Sequence, residues 1–169
     1  MNITRHQLKV QFERAKRLGW IPYFEDAAKL TKGCFDTADL MAIGSRETNL
    51  DPKWTTKAGD GGFGYGLMQA DLRSFPDWIK TGKWKDPREG IIKGAEVLMS
   101  KWNDTIKGIG VKRGVTSSKT GKISYFIGKD VQGAEAQRVT IAAYNCGRWA
   151  HYAVTVSYTH LTLPTTERV

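Results

Sequence analysis

The stretch "AGDGGFGYGLMQAD", residues 58 to 71, places five glycines between Gly59 and Gly66. A helix does not run through such a segment, because each helix-interior glycine costs up to about 1 kcal/mol relative to alanine. Phe63, Tyr65 and Leu67 alternate with glycines, which is the period of an extended chain. The pattern predicts a small hairpin or a pair of tight turns set among helices. The fold class expected is α+β, mainly α-helical, with one small β-hairpin region beside whatever the glycines line.

The flanking segments carry helical spacing. "MNITRHQLKVQFERAKRLGW" predicts an amphipathic helix with Leu8, Phe12, Ala15 and Leu18 or Gly19 on its apolar side. "WIPYFEDAAKLTKG" predicts a second helix stopped at Gly33. In "FDTADLMAIGSRE", Asp36 or Thr37 is suited to cap a short third helix. "DPREGIIKGAEVLMSKW" is the clearest of all: Asp86 as cap, Pro87 at the first position and Glu89 completing a capping box. Ile91, Ala95, Leu98, Trp102 and Ile106 form its expected buried stripe. Residues 107 to 130 are basic and turn-rich, with "KISYFIG" as a short strand of a second hairpin. "GAEAQRVTIAAYNCG" returns to helix, with Val139, Ala142 or Ala143, and Cys146 on one side. Residues 154–169 show neither period and are expected to form a disordered or non-native tail, leaving 1–153 as one domain.

Composition narrows the partners. With 169 residues, 40% hydrophobic and 25% charged, the chain has the make-up of an ordinary soluble domain with a real core. No run approaches the roughly 20 apolar residues of a membrane span. The N-terminus has no apolar h-region, so no secretory signal is expected. Twenty-six basic against 17 acidic residues give a net charge of +9, which suits a polyanionic partner. Zinc-finger, recognition-helix and RNA-binding signatures are missing, which argues against nucleic acid. Cys34 and Cys146 lie far apart, match no metal pattern and are read as reduced.

Glu47 is the residue whose position needs explaining. Leu40, Ile43, Gly44 and Glu47 fall at i, i+3, i+4 and i+7, so a carboxyl group sits on the stripe facing the core. It is either paired with a cation such as Arg46, or exposed by fraying, or kept protonated by apolar surroundings as a general acid. Downstream, Asp60 and Asp71 stand in the glycine-rich segment. One buried carboxyl and two on a polar hairpin would have unequal proton affinities, the arrangement glycosidic bond cleavage needs. The plainer readings are a turn former for Asp60 and a helix cap for Asp71.

"SRETN", "GDGGFGYGLMQAD" and "AAYNCG", in this order and at these separations, resemble the goose-type lysozymes and their phage and bacterial relatives. The resemblance covers roughly residues 10 to 150. It implies a lysozyme-like fold and hydrolysis of the β-1,4 bond between N-acetylmuramic acid and N-acetylglucosamine in peptidoglycan, with inversion and with no metal or cofactor. It also implies catalytic roles for Glu47 as general acid and for Asp60 and Asp71 in holding and activating water. Gln69 and the Gly64, Tyr65 and Met68 hairpin backbone would border the sugar subsites, and Tyr144 and Asn145 would line the cleft floor. Missing the N-terminal cysteine framework of vertebrate members, the chain is closest in kind to a phage endolysin, made in the host cytoplasm and acting on the wall as a monomer.

A lytic transglycosylase and a wall-binding protein without catalysis are the competing readings. The two aspartates favour hydrolysis over the first, and the presence of Glu47 argues against the second. Trp54, Trp78 and Trp84 are suited to stack on sugar, but packing is the commoner role. His6, His151 and His160 show no partner pattern. The basic 107 to 129 stretch reads as a solvated face with an affinity for anionic wall polymers.

Overall fold

A computed structural model describes residues 4–116, 121, 123–128 and 130–146. The element order is α1 (Arg5–Arg17), α2 (Ile21–Leu30), α3 (Thr37–Thr48), β1 (Gly64–Tyr65), β2 (Ala70–Asp71), α4 (Pro76–Lys80), α5 (Pro87–Gly108), β3 (Lys112–Thr116), β4 (Ile123–Ile127) and α6 (Gly133–Cys146). Short 3-10 turns at Pro52–Thr55, Asp60–Gly62 and Lys83–Lys85 punctuate the middle. The architecture is the mainly helical α+β class, with two antiparallel two-stranded sheets, β1–β2 and β3–β4. Among the described residues no helix is long and apolar enough to cross a membrane. The expected tail at 154–169, His151, His160 and the Cys146 side chain lie outside the described residues.

The chain divides into two compact units at Met99 and Ser100. In the first, side-chain caps fix helix starts at Asp36 and Asp86 as the sequence predicts, although the Asp86 amide donates to the Lys83 carbonyl at 3.0 Å where the expected capping box would use Glu89. Thr4 forms a capping box with Gln7 at α1, and Asp36 forms one with Asp39 at α3. Asp86 accepts from the Arg88 amide at 2.7 Å at the head of α5. Phe24, Leu40, Ile43, Leu50, Leu67, Met68, Ile91 and Leu98 make the core. A second cluster, Ala70, Ile79 and Trp84 with Tyr65, Leu72, Phe75 and Trp78 packed against it, underlies the hairpin. Trp84 is thus a packing residue, as the commoner reading had it.

The α1 stripe differs from expectation. Phe12 is 45% exposed and Leu18 is also exposed, while Gln11 and Ala15 are buried. A polar anchor decides this. The Gln11 amide donates to Asn49 Oδ1 at 3.2 Å, and Gln11 Oε1 accepts from the Ser45 hydroxyl, so α1 is rotated to dock Gln11 on the end of α3. A buried amide satisfied on both sides carries no desolvation penalty to forbid it.

In the second unit, Val131, Ala136 and Val139 form a small core with Trp102 packed against it, and Ala143 is buried too. The expected stripe of α5 holds at Trp102 but not at Ile106, which is exposed while Thr105 is buried. Counting ~100° per residue, Thr105 falls between the buried Gly94 and Leu98 around the helix, whereas Ile106 falls outside Ala95, at the edge of the stripe. Thr140 donates to the Ala136 carbonyl at 2.8 Å and lies 3.4 Å from the Thr105 hydroxyl, so both hydroxyls are accommodated.

Two helix-interior glycines in the first unit have a steric reason. A β-carbon at Gly44 would stand 2.7 Å from Leu50 Cδ2 and 3.2 Å from Met68 Sδ. One at Gly94 would lie 2.5 to 2.8 Å from three side-chain atoms of Met68. Overpacking of this kind costs roughly 1–3 kcal/mol, more than the ~1 kcal/mol of helix propensity an alanine returns. Gly94→Ala is expected to lower stability in urea denaturation by about 1–2 kcal/mol. In a Met68→Ala background the same change is expected to cost nothing; an equal cost in both backgrounds would contradict the steric account.

Candidate active site

Glu47 stands one residue before the end of α3, half-buried. The helix stops because Asn49 takes the left-handed conformation (φ 55°) and its N–H turns back to the Ser45 carbonyl at 2.8 Å. Arg14 donates to the Asn49 carbonyl at 3.1 Å, so α1 clamps this terminus. Thr48, fully buried, places its hydroxyl 2.8 Å from the Leu67 carbonyl in the hairpin turn and 3.0 Å from the Gly44 carbonyl. The residue next to Glu47 therefore ties α3 to the hairpin. Neither Thr48 nor Gln11 was singled out from the sequence, since their partners are 19 and 38 positions away.

The glycine-rich segment folds into a closed loop followed by a tight hairpin. Gly59 and Gly64 exchange backbone hydrogen bonds at 2.7 and 3.1 Å, holding Asp60 in the loop between them. Asp60 adopts positive φ (47°), a conformation aspartate tolerates better than most residues. Gly64 pairs on its other side with Asp71, and Tyr65 with Ala70. The two aspartates thus stand on opposite sides of Gly64.

Gln69, also at positive φ, folds its side chain back over this loop. Its amide donates to the Gly66 carbonyl at 2.9 Å. Its Oε1 lies 2.2 Å from where a Gly59 β-carbon would be and 2.3 Å from that of Gly64, so a side chain at either position would displace the Gln69 amide. Tyr65 is half-buried, edge-on to Trp84 at 5.0 Å. The Met68 side chain is core, 1% exposed, so only its backbone could meet a ligand. Tyr144, half-buried, and Asn145, exposed, lie on α6 in the second unit. Trp54 is flanked by the Lys53 and Lys57 ammonium groups, each 5.3 Å from its ring centroid.

The carboxyls differ in their surroundings. Burial raises the Glu47 pKa to about 7; the negative charge of Asp60 adds to the rise and Arg46 opposes it. At Asp71 burial also pushes upward, but the Ser74 hydroxyl at 2.8 Å and the Arg73 guanidinium at 2.9 Å outweigh it and hold the group below the usual carboxylate range. Asp71 does not cap α4, whose N-cap is Phe75. Among the described residues no cluster of three or more histidine, cysteine or acidic side chains could hold a metal ion.

A carboxyl whose pKa is raised on folding destabilises the fold as pH climbs. Below the unfolded value of 4.5 Glu47 is protonated in both states and costs nothing; between 4.5 and about 7 only the unfolded state releases the proton. Glu47→Gln, which imitates the neutral form, is expected to match the wild type in stability at pH 4. At pH 8 it should exceed it, by on the order of 2 kcal/mol. Urea denaturation across this range checks it, and a gap independent of pH would contradict the burial argument.

Against known proteins, the chain is similar to the lysozyme g of Casuarius casuarius, at 39% identity over 69 residues, 41% of this chain and 35% of the relative. The lysozyme g of Struthio camelus and the lysozyme G of Dromaius novaehollandiae are each 38% identical over 69 residues, again 41% of this chain and 32% of theirs. The match thus spans about a third of the length of these curated relatives. No family model and no solved structure matches. Over these 69 residues the chain is similar to lysozyme g proteins, and its helices and small hairpins agree with the mainly helical α+β fold expected from the sequence.

Proposed function

We propose that the protein is a muramidase that hydrolyses the β-1,4 bond between N-acetylmuramic acid and N-acetylglucosamine in peptidoglycan, with inversion. The observation that carries this reading is Glu47, a half-buried carboxyl with its pKa raised to about 7 next to the charge of Asp60. The protonated Glu47 donates to the glycosidic oxygen as the C1–O bond breaks. Positive charge then develops on the ring carbon and oxygen, and water attacks the opposite face while losing a proton to a carboxylate.

Asp60 is the aspartate whose charge acts on Glu47, and it is assigned as the base. Both oxygens of Asp71 are engaged by Arg73 and Ser74, and its low pKa makes it a weak proton acceptor. Asp71 then serves to fix the strand that pairs with Gly64. The likeness to the lysozyme g proteins supports the reaction class, and the net charge of +9 supports a polyanionic wall as partner. Action as a monomer, in the role of a phage endolysin and without nucleic acid, completes the reading.

The test is mass spectrometry of glycan fragments released from purified peptidoglycan by the wild type and by Glu47→Gln, Asp60→Asn and Asp71→Asn. Fragments with one added water and a reducing end are expected from the wild type. Glu47→Gln should lose about 10²–10⁴-fold in rate while still binding the wall, and Asp60→Asn should lose more than Asp71→Asn. As Glu47 must carry its proton, the rate should fall as pH rises through about 7. Products with 1,6-anhydro ends would make the protein a transglycosylase, in which neither aspartate activates water. Undiminished turnover by Glu47→Gln would remove Glu47 from the chemistry.

A further inference from the structure

From Thr105 to Lys129 the sequence holds six lysines and arginines and no acidic residue. Within this stretch β3 and β4 pair antiparallel, Lys112 opposite Ile127, Gly114 opposite Tyr125 and Thr116 opposite Ile123. Alternate residues of a strand point the same way, so Ile123, Tyr125 and Ile127 share one face. They are 52%, 64% and 63% exposed. Gly114 presents no side chain between them, and Ile123 and Tyr125 close over it, each with an atom 3.2 Å from where its β-carbon would stand. The Lys112 ammonium sits 4.7 Å from the centroid of the Tyr125 ring. Val111, at the entrance to β3, is exposed as well.

The usual antiparallel hairpin turns its apolar residues inward and its polar ones outward. Here a continuous aliphatic and aromatic strip faces out, in a stretch with cations alone. A sugar-phosphate polymer would satisfy the cations and leave the isoleucines in water. A second copy of the chain would cover the isoleucines but oppose like charges. An anionic bilayer satisfies both: the isoleucines enter the acyl boundary, the tyrosine sits at headgroup depth, and Lys112, on the same face beside that tyrosine, meets lipid phosphate with the charge of the surrounding cations behind it. We propose that the β3–β4 hairpin is a lipid-docking element that seats the protein on anionic membrane surfaces without spanning them. This is independent of the wall chemistry assigned to the first unit.

The experiment is co-sedimentation of the full chain with vesicles of phosphatidylglycerol mixed with phosphatidylcholine, against phosphatidylcholine alone. Binding to the anionic vesicles only is expected. The Ile123→Ser/Ile127→Ser variant keeps every charge and should bind at least about tenfold more weakly. Lys112→Glu/Arg113→Glu should also weaken binding, by about fivefold or more for each cation removed. Hydrogen exchange on the wild type gives a reading free of any folding defect in the variants: amides of residues 112–127 should gain protection with anionic vesicles. Full binding by the isoleucine variant would reduce the contact to charge adsorption and overturn the proposal. So would unchanged exchange in the hairpin, or a solution dimer that the isoleucine variant abolishes.

Discussion

The Met68 side chain fills the space that a β-carbon at Gly94 would occupy and stands 3.2 Å from the place of one at Gly44, so one residue of the hairpin turn packs against two helices at once. Its neighbour Leu67 accepts from Thr48, the residue after Glu47. Steric fit and hydrogen bond together fix the register between the end of α3 and the hairpin that bears Asp60. Neither helix can rotate without crowding the methionine, and the hairpin cannot slide without taking the Leu67 carbonyl away from the Thr48 hydroxyl. On the other side of α3, Gln11 and Arg14 hold the Asn49 turn. A short helix would ordinarily fray at this end; here its last turn is clamped from two directions.

That rigidity gives the electrostatics their meaning. Glu47 is costly to ionise because burial and Asp60 both disfavour its charge, and the fold holds it there nonetheless. Asp71, a short way along the same hairpin, is in the opposite situation, paired and held ionised. One carboxyl kept neutral and another kept charged, on elements locked to each other, is the division that the proposed reaction would use, with Glu47 as proton donor and Asp71 as a structural anion. The destabilisation at Glu47 is of the kind expected where a site is shaped for chemistry rather than for stability.

Much of this was legible in the sequence, for identifiable reasons. Period placed Glu47 on the inward stripe of α3, and the density of glycine announced the hairpin, because both signals are local. Why Gly44 is glycine was not legible: a β-carbon there would meet Leu50 Cδ2 at 2.7 Å, past the helix end, and Met68 Sδ at 3.2 Å, in the hairpin turn. The same limit explains α1, where apolar residues were expected inside and Gln11 is buried instead. Its partners Ser45 and Asn49 lie on another helix, and periodicity contains no information about them. Asp71 is the instructive case, since its partners are only two and three residues on and could have been read as a local ion pair and turn. At Thr105, the helical angle, between those of Gly94 and Leu98, gives the buried position, where apolarity alone pointed to Ile106.

The central claim is that Glu47 is held protonated near neutrality by its surroundings, with the charge of Asp60 contributing. A carbon-13 NMR titration of the Glu47 side-chain carboxyl measures this directly, with no substrate involved. The account predicts a midpoint of about 7 in the wild type, falling when Asp60 is replaced by asparagine. A midpoint near the ordinary value of 4.5, or one indifferent to Asp60, would contradict it.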